Sequence, residues 1–129
     1  MSAAQVVLYA VLALIAAYAI RRFLLVRALQ HYTPAQVAEK LRTGEPVVLL
    51  DVRTDSERQR SSIKGSIHIP MHQVRSRLDD LKKHQGKEII CFCAVGGRSA
   101  AVAAMLHKQG FTVANITGGI SAWKSSGLP

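Results

Sequence analysis

The first twenty residues carry no charged side chain, and every residue from Val6 to Ile20 is apolar or tyrosine. A chain of 129 residues has room for one domain with a modest core, and a run this long and this apolar does not belong inside it. Extended past Arg21 and Arg22, whose side chains can snorkel, the run reaches Val26 and gives the helix of about 20 residues that a bilayer needs. The sequence therefore predicts one transmembrane anchor through residues 3–26. Residues 1–29 are read as this anchor with a basic juxtamembrane segment, and residues 30–129 as a separate domain. The competing reading is a cleaved signal peptide, with Ala17-Tyr18-Ala19 as a small-residue cleavage site. The anchor is favoured because no positive segment precedes the run and Arg21, Arg22 and Arg27 follow it directly. By the positive-inside rule the same arginines put the domain on the cytoplasmic side of a single-pass topology.

The whole net charge of +9 lies after residue 20. The basic residues are scattered and no aromatic stacking motif interleaves them, which argues against a nucleic-acid partner. A tethered domain beside an anionic leaflet accounts for the charge more simply. Two cysteines occur, Cys91 and Cys93, separated by one residue. That spacing strains an intramolecular disulfide, and reduced thiols in a reducing compartment fit it better. The five histidines, His31, His68, His72, His84 and His107, show no ligand spacing, so neither a metal nor another cofactor is expected.

The chemistry-bearing segment is Cys93-Ala94-Val95-Gly96-Gly97-Arg98-Ser99. Glu88 to Phe92 reads as a buried strand and Ser99 to Gln109 as a helix closed by Gly110, which sets Cys93 at a strand-to-helix turn. Gly96 and Gly97 permit backbone angles that let successive loop amides converge into an anion cradle. That cradle, the helix start and Arg98 all favour thiolate over thiol, so Cys93 is predicted to be a nucleophile at neutral pH. The bland alternative, a cysteine serving as a small core residue, is outweighed by this setting.

Along the rest of the domain, Gln30 to Tyr32 is read as a short link. Thr33-Pro34 opens a helix over Ala35 to Arg42 that ends at Gly44. Val47 to Leu50 is an apolar strand delivering Asp51 and Arg53 at its carboxyl end, and Asp55 to Arg60 a short helix capped by Thr54 or Asp55. Ile67 to Ile69 is a brief strand stopped by Pro70, and His72 to Lys83 a helix with Val74, Leu78 and Leu81 on one face. Phe111 to Ile116 is a further strand, and a last helix runs from Gly118-Gly119 through Trp123 and Lys124. Alternating strands and helices predict an α/β fold with a small, mainly parallel sheet covered on both faces. Its sites then gather at the strands' carboxyl ends.

Three blocks in order resemble the rhodanese-like domain over Tyr32 to Pro129. They are Leu49-Leu-Asp-Val-Arg53 with Glu57, Ile63-Lys-Gly-Ser66 and Ile69-Pro70; the Cys93 to Ser99 loop; and Gly118-Gly119 with Trp123 and Gly127-Leu-Pro129. The resemblance implies a sulfurtransferase. Cys93 would take sulfane sulfur from a small anionic donor such as thiosulfate, or from a persulfide, hold it as a persulfide, and pass it to cyanide, a thiol or a protein. It also implies that the amides of Ala94, Val95, Gly96, Gly97, Arg98 and Ser99 cradle the persulfide and that Arg98 assists anion binding. The chain departs from the family pattern at Ser61-Ser62, where Gly-His is frequent, at Arg58 in place of an aromatic, and at Ile120 in place of tryptophan. Ala94 and Val95 replace the basic or hydroxyl residues that often follow the cysteine, so thiosulfate is expected to bind weakly and a persulfide to be the better donor.

Asp51 can serve acid–base chemistry, but a carboxylate at a strand end beside Arg53 reads better as an ion pair or cap holding the loops. Arg53 and Glu57 read as a local salt bridge shaping the pocket wall. Cys91 lies on the same face as Cys93 one step deeper, as core packing. A phosphatase of the related fold is the second class; the resemblance implies one more residue between cysteine and arginine there than the four found here. The third class is a non-enzymatic, membrane-bound sulfur-relay or persulfide-sensing module.

Overall fold

A computed structural model describes the chain from Met1 to Pro129, with side chains described outside residues 26–28. The uncharged run forms helix α1 (Ala3–Ala28). Its stretch Ala3–Leu25 is long and apolar enough to cross a membrane and is not buried against the rest of the chain. The side chains of Val26, the predicted end of the span, and of Arg27 lie outside the described residues.

Strand β1 (Gln30–Tyr32) follows and pairs in parallel with strand β5 (Val113–Ile116), His31 opposite Asn115. The sequence reading of these residues as a link is corrected here. Three residues are too few to display alternation, and it is the edge of β5 that makes them a strand. Helix α2 (Pro34–Arg42) starts with a reciprocal capping box between Thr33 and Gln36, and strand β2 (Val47–Asp51) follows. Helix α3 (Asp55–Arg60) has the same device in Thr54 and Glu57. After strand β3 (Ile67–His68), the predicted single helix His72 to Lys83 is two pieces, a 3₁₀ helix (Met71–Arg77) and α4 (Leu78–Lys82). Apolar spacings of three and four suit either winding, so periodicity did not separate them. The first turn closes with an i to i+3 bond, Gln73 N–H to the Pro70 carbonyl at 2.8 Å. Strand β4 (Glu88–Phe92), helix α5 (Gly97–Lys108), β5 and helix α6 (Gly119–Ser125) complete the chain.

The five strands are all parallel, in the order β1-β5-β4-β2-β3. Alternation along the strands sorts side chains into two cores. Leu50, Ile89, Cys91 and Val113 face one side, under Val102, Ala103 and Leu106 of α5 and Val74 and Leu81. Leu49, Ile90, Phe92, Ala114 and Ile116 face the other, against Val37 of α2 and Ile120 and Trp123 of α6. With both faces covered, the open ground for chemistry is the carboxyl edge, where β2 ends at Asp51 and β4 at Phe92.

Candidate active site at the Cys93 loop

The chain leaves β4 at Cys93 and turns back into α5 through Gly96, whose φ of +116° is a conformation only glycine adopts freely. This turn folds the loop around the sulfur. The Gly96 N–H donates to Cys93 Sγ at 3.1 Å and the Ser99 hydroxyl lies 3.3 Å from it. Cys93 is buried, at 1% exposure. Burial pushes its thiol up, but the Ser99 hydroxyl and the backbone N–H groups of Ser99, Gly96 and Val95 outweigh it and hold the thiol below its ordinary value. Of the predicted cradle, Val95, Gly96 and Ser99 donate to the sulfur through backbone N–H groups, and the Arg98 side chain hydrogen-bonds it as well. Ala94 turns its carbonyl the other way, accepting from Ser121 N–H at 3.1 Å, while the Cys93 carbonyl accepts from Ile120 N–H at 2.9 Å. The first turn of α6 thereby fastens the loop from behind. Gly119 must be small there, since a side-chain carbon on it would run into both carbonyls.

Arg98 points to α3. Its two terminal nitrogens donate to the two Glu57 carboxylate oxygens at 2.8 and 2.9 Å. Arg98 holds the Glu57 carboxyl down to about 2, and Glu57 in turn raises the guanidinium. The predicted Arg53–Glu57 salt bridge is corrected accordingly. Arg53 instead grips Asp51 with Nε to Oδ1 at 3.0 Å and Nη2 to Oδ2 at 2.9 Å, and meets only the main-chain oxygen of Glu57, at 3.3 Å. Two residues apart on the chain, Asp51 and Arg53 form a bidentate pair. Arg58, the departure from an aromatic, joins them by donating to Asp51 Oδ2 at 3.4 Å, and it is held there by Ser66 Oγ at 2.7 Å and the Ser66 carbonyl at 2.8 Å. Asp51 thus has the predicted ion-pair role.

Cys91 is fully buried on the Cys93 side of the sheet, and burial together with the neighbouring Cys93 charge pushes its thiol up to about 12. A cleft of about 940 Å³ opens beside the loop between α1, the 3₁₀ helix and α5, with Arg21, Arg22, Arg75, Arg98 and Lys108 on its walls. Sequence reasoning passed over Asn115, whose Oδ1 accepts from the Ser99 hydroxyl at 2.6 Å. The signal was available, since a lone amide inside the apolar run Phe111 to Ile116 needs a partner.

A sequence model described as Rhodanese-like domain matches residues 33–126. The chain belongs to the rhodanese-like family. A sulfurtransferase of Allochromatium vinosum is 34% identical over 94 residues, which span 72% of this chain and 86% of that protein. A rhodanese-related protein of Thermoplasma volcanium superimposes with a TM-score of 0.71 at 31% identity, covering 78% of this chain and 95% of that one. A Rhodopseudomonas palustris protein described as "Possible Tyrosine Phosphatase" does so with a TM-score of 0.76 at 26% identity, covering 84% and 89%. The family match and the likeness to the Allochromatium vinosum sulfurtransferase support a general role in sulfur transfer for this rhodanese-like chain.

Proposed function

We propose that the chain is a membrane-anchored sulfurtransferase in which Cys93 is the nucleophile and carrier. The observation that supports this reading most is the buried Cys93 sulfur met by the Gly96 N–H at 3.1 Å and the Ser99 hydroxyl at 3.3 Å. Such a ring stabilises a thiolate and, one bond further out, the anionic end of a persulfide. The thiolate attacks the outer sulfur of the donor. A sulfur–sulfur bond forms to Cys93, and the donor's own bond breaks with its electron pair leaving on sulfite or on a thiolate. Cyanide, a thiolate or a protein thiol then takes the outer sulfur and returns Cys93 to thiolate, so no external oxidant or reductant is consumed. Residues 94–99 form the substrate loop, and Asp51, Arg53 and Glu57 support its wall. With Arg98 already paired to Glu57, the loop offers thiosulfate little free charge, and a persulfide is the preferred donor. Residues 30–129 are the catalytic domain, and α1 anchors it with the domain on the cytoplasmic side.

The likeness to a possible phosphatase keeps a second reading in view, namely phosphate-ester hydrolysis through the same cysteine. Four residues between Cys93 and Arg98, and an Arg98 already engaged, favour sulfur over a phosphoryl group. The test is intact mass of the full chain in detergent after thiosulfate or a persulfide donor, beside Cys93→Ser. The expected result is a gain of one sulfur atom that cyanide removes and that the variant lacks. No gain from either donor, with hydrolysis of a phosphate ester, overturns the proposal.

A further inference from the structure

Asn115 is the one amide among the apolar residues of β5, and it is 4% exposed. Its Nδ2 lies 3.4 Å from the Gly96 carbonyl and 3.4 Å from His31 Nδ1. A carbonyl only accepts, so Nδ2 is the atom turned that way, and Oδ1 is left for Ser99 at 2.6 Å. The Ser99 hydroxyl therefore faces three acceptors: Asn115 Oδ1 at 2.6 Å, the Gly96 carbonyl at 3.2 Å and Cys93 Sγ at 3.3 Å. It has one proton to give. Ser99 is fully buried, so bulk water does not make up the difference.

We propose that Asn115 is a positioning residue for Cys93: its side-chain carbonyl competes with the sulfur for the single proton of the Ser99 hydroxyl. When Cys93 is a thiol, the bonds run in one direction, S–H to Ser99 Oγ and Ser99 O–H to Asn115 Oδ1, and every group is satisfied. When Cys93 is a thiolate, the hydroxyl turns to sulfur and Asn115 Oδ1 loses its donor inside the core. A buried acceptor stripped of its partner is unfavourable, so Asn115 resists the bare thiolate. Sulfur loading reverses the balance. This step rests on the proposed sulfur-carrier reading: in the persulfide the charge sits on the outer sulfur, Sγ becomes a weak acceptor, and the hydroxyl returns to Asn115. Asn115 thus favours the loaded carrier over the empty one, while the loop amides hold the charge in either state.

Other titratable groups around the sulfur are Cys91 below it on β4 and Arg98 on α5 with Glu57 of α3 behind it; His31 on β1 meets the far side of Asn115. None of them accepts the Ser99 proton, which makes Ser99 the means of separating this effect from the rest. The experiment is the pH dependence of Cys93 alkylation by iodoacetamide, read by intact mass on the full chain in detergent. It uses Asn115→Leu, Asn115→Asp, Ser99→Ala and the double variant Ser99→Ala with Asn115→Leu. Removing the competitor with Asn115→Leu is expected to lower the apparent pKa by about one unit. Asn115→Asp keeps the acceptor and adds charge, so it is expected to raise the value. In the Ser99→Ala background Asn115→Leu is expected to have no effect. Should leucine not be accommodated, Asn115→Ala carries the same expected sign. Shifts of the same sign for leucine and aspartate, or a leucine shift that persists without Ser99, indicate general loosening of the loop and overturn the proposal. Alkylation needs no sulfur donor, so this result is independent of whether sulfur transfer is found.

Discussion

Two cysteines stand two residues apart on one face of the sheet, yet their sulfurs meet opposite surroundings. Burial in the apolar core and the neighbouring Cys93 charge push the Cys91 thiol up to about 12, whereas hydrogen-bond donors hold Cys93 below its ordinary value. Cys91→Ala is therefore expected to retain the sulfur adduct and Cys93→Ser to lose it, as read by intact mass. Adduct loss in both variants would make Cys91 a participant. Glu57 sets a second residue-level expectation. Glu57→Gln frees Arg98 for anions and is expected to lower KM for thiosulfate about fivefold, the factor that about 1 kcal/mol gives for a partly exposed pair. Steady-state kinetics on the two proteins decides it. The same pair ties stability to pH. The folded carboxyl lies at about 2 against an ordinary 4.5, and a depressed value makes the pair stabilising above 4.5 and lost as pH falls through 2. The advantage of wild type over Glu57→Gln in denaturant unfolding is expected to shrink across that window.

At the scale of elements, the loop is shaped by the end of β4 and the first turn of α5, which flank it, and by the first turn of α6 further along the chain. Gly119 is where α6 meets the loop, with φ +58° and the Cys93 and Ala94 carbonyls against its missing side chain. Gly119→Ala is expected to cost about 1–3 kcal/mol, as overpacking does, and to slow sulfur loading along with it. Circular dichroism melts and the loading rate measure the two effects; a variant with wild-type values in both would mean that α6 does not hold the loop. The strand-to-helix turn at Cys93 and the Gly118-Gly119 signature were readable in the sequence because glycine at a strained turn is a local signal. The partners of Arg98 and Ser99 were not. Glu57 lies 41 residues from Arg98 and Asn115 16 from Ser99, and no periodicity carries pairing over such distances. The order of the strands follows from the same long-range pairing, so alternation predicted parallel strands without giving β1 its place at the edge of β5.

On the scale of the whole molecule, the open question is where anchor ends and domain begins. The sequence reading places the boundary after residue 29, at the end of the basic juxtamembrane segment. Leu29, however, is buried in the core, in the cluster that holds Phe111 and Val113. The last residue assigned to the anchor segment thus packs as part of the domain, and β1 begins directly after it. An apolar residue next to an apolar helix gives no compositional sign of which side of such a boundary it serves. Burying a leucine side chain stabilises by about 1.5–3 kcal/mol, a large share of what a domain of this size has in reserve. A fragment from Leu29 to Pro129 is therefore expected to resist urea better than one from Gln30, by that amount. Equal midpoints would put the boundary after Leu29 and make its burial incidental. If α1 is the anchor we propose, both fragments stay soluble after cell lysis and centrifugation while the full chain sediments with membranes and resists extraction by alkaline carbonate. A full chain that carbonate releases would remove α1 from the bilayer and leave electrostatic attachment through the basic surface as the only hold.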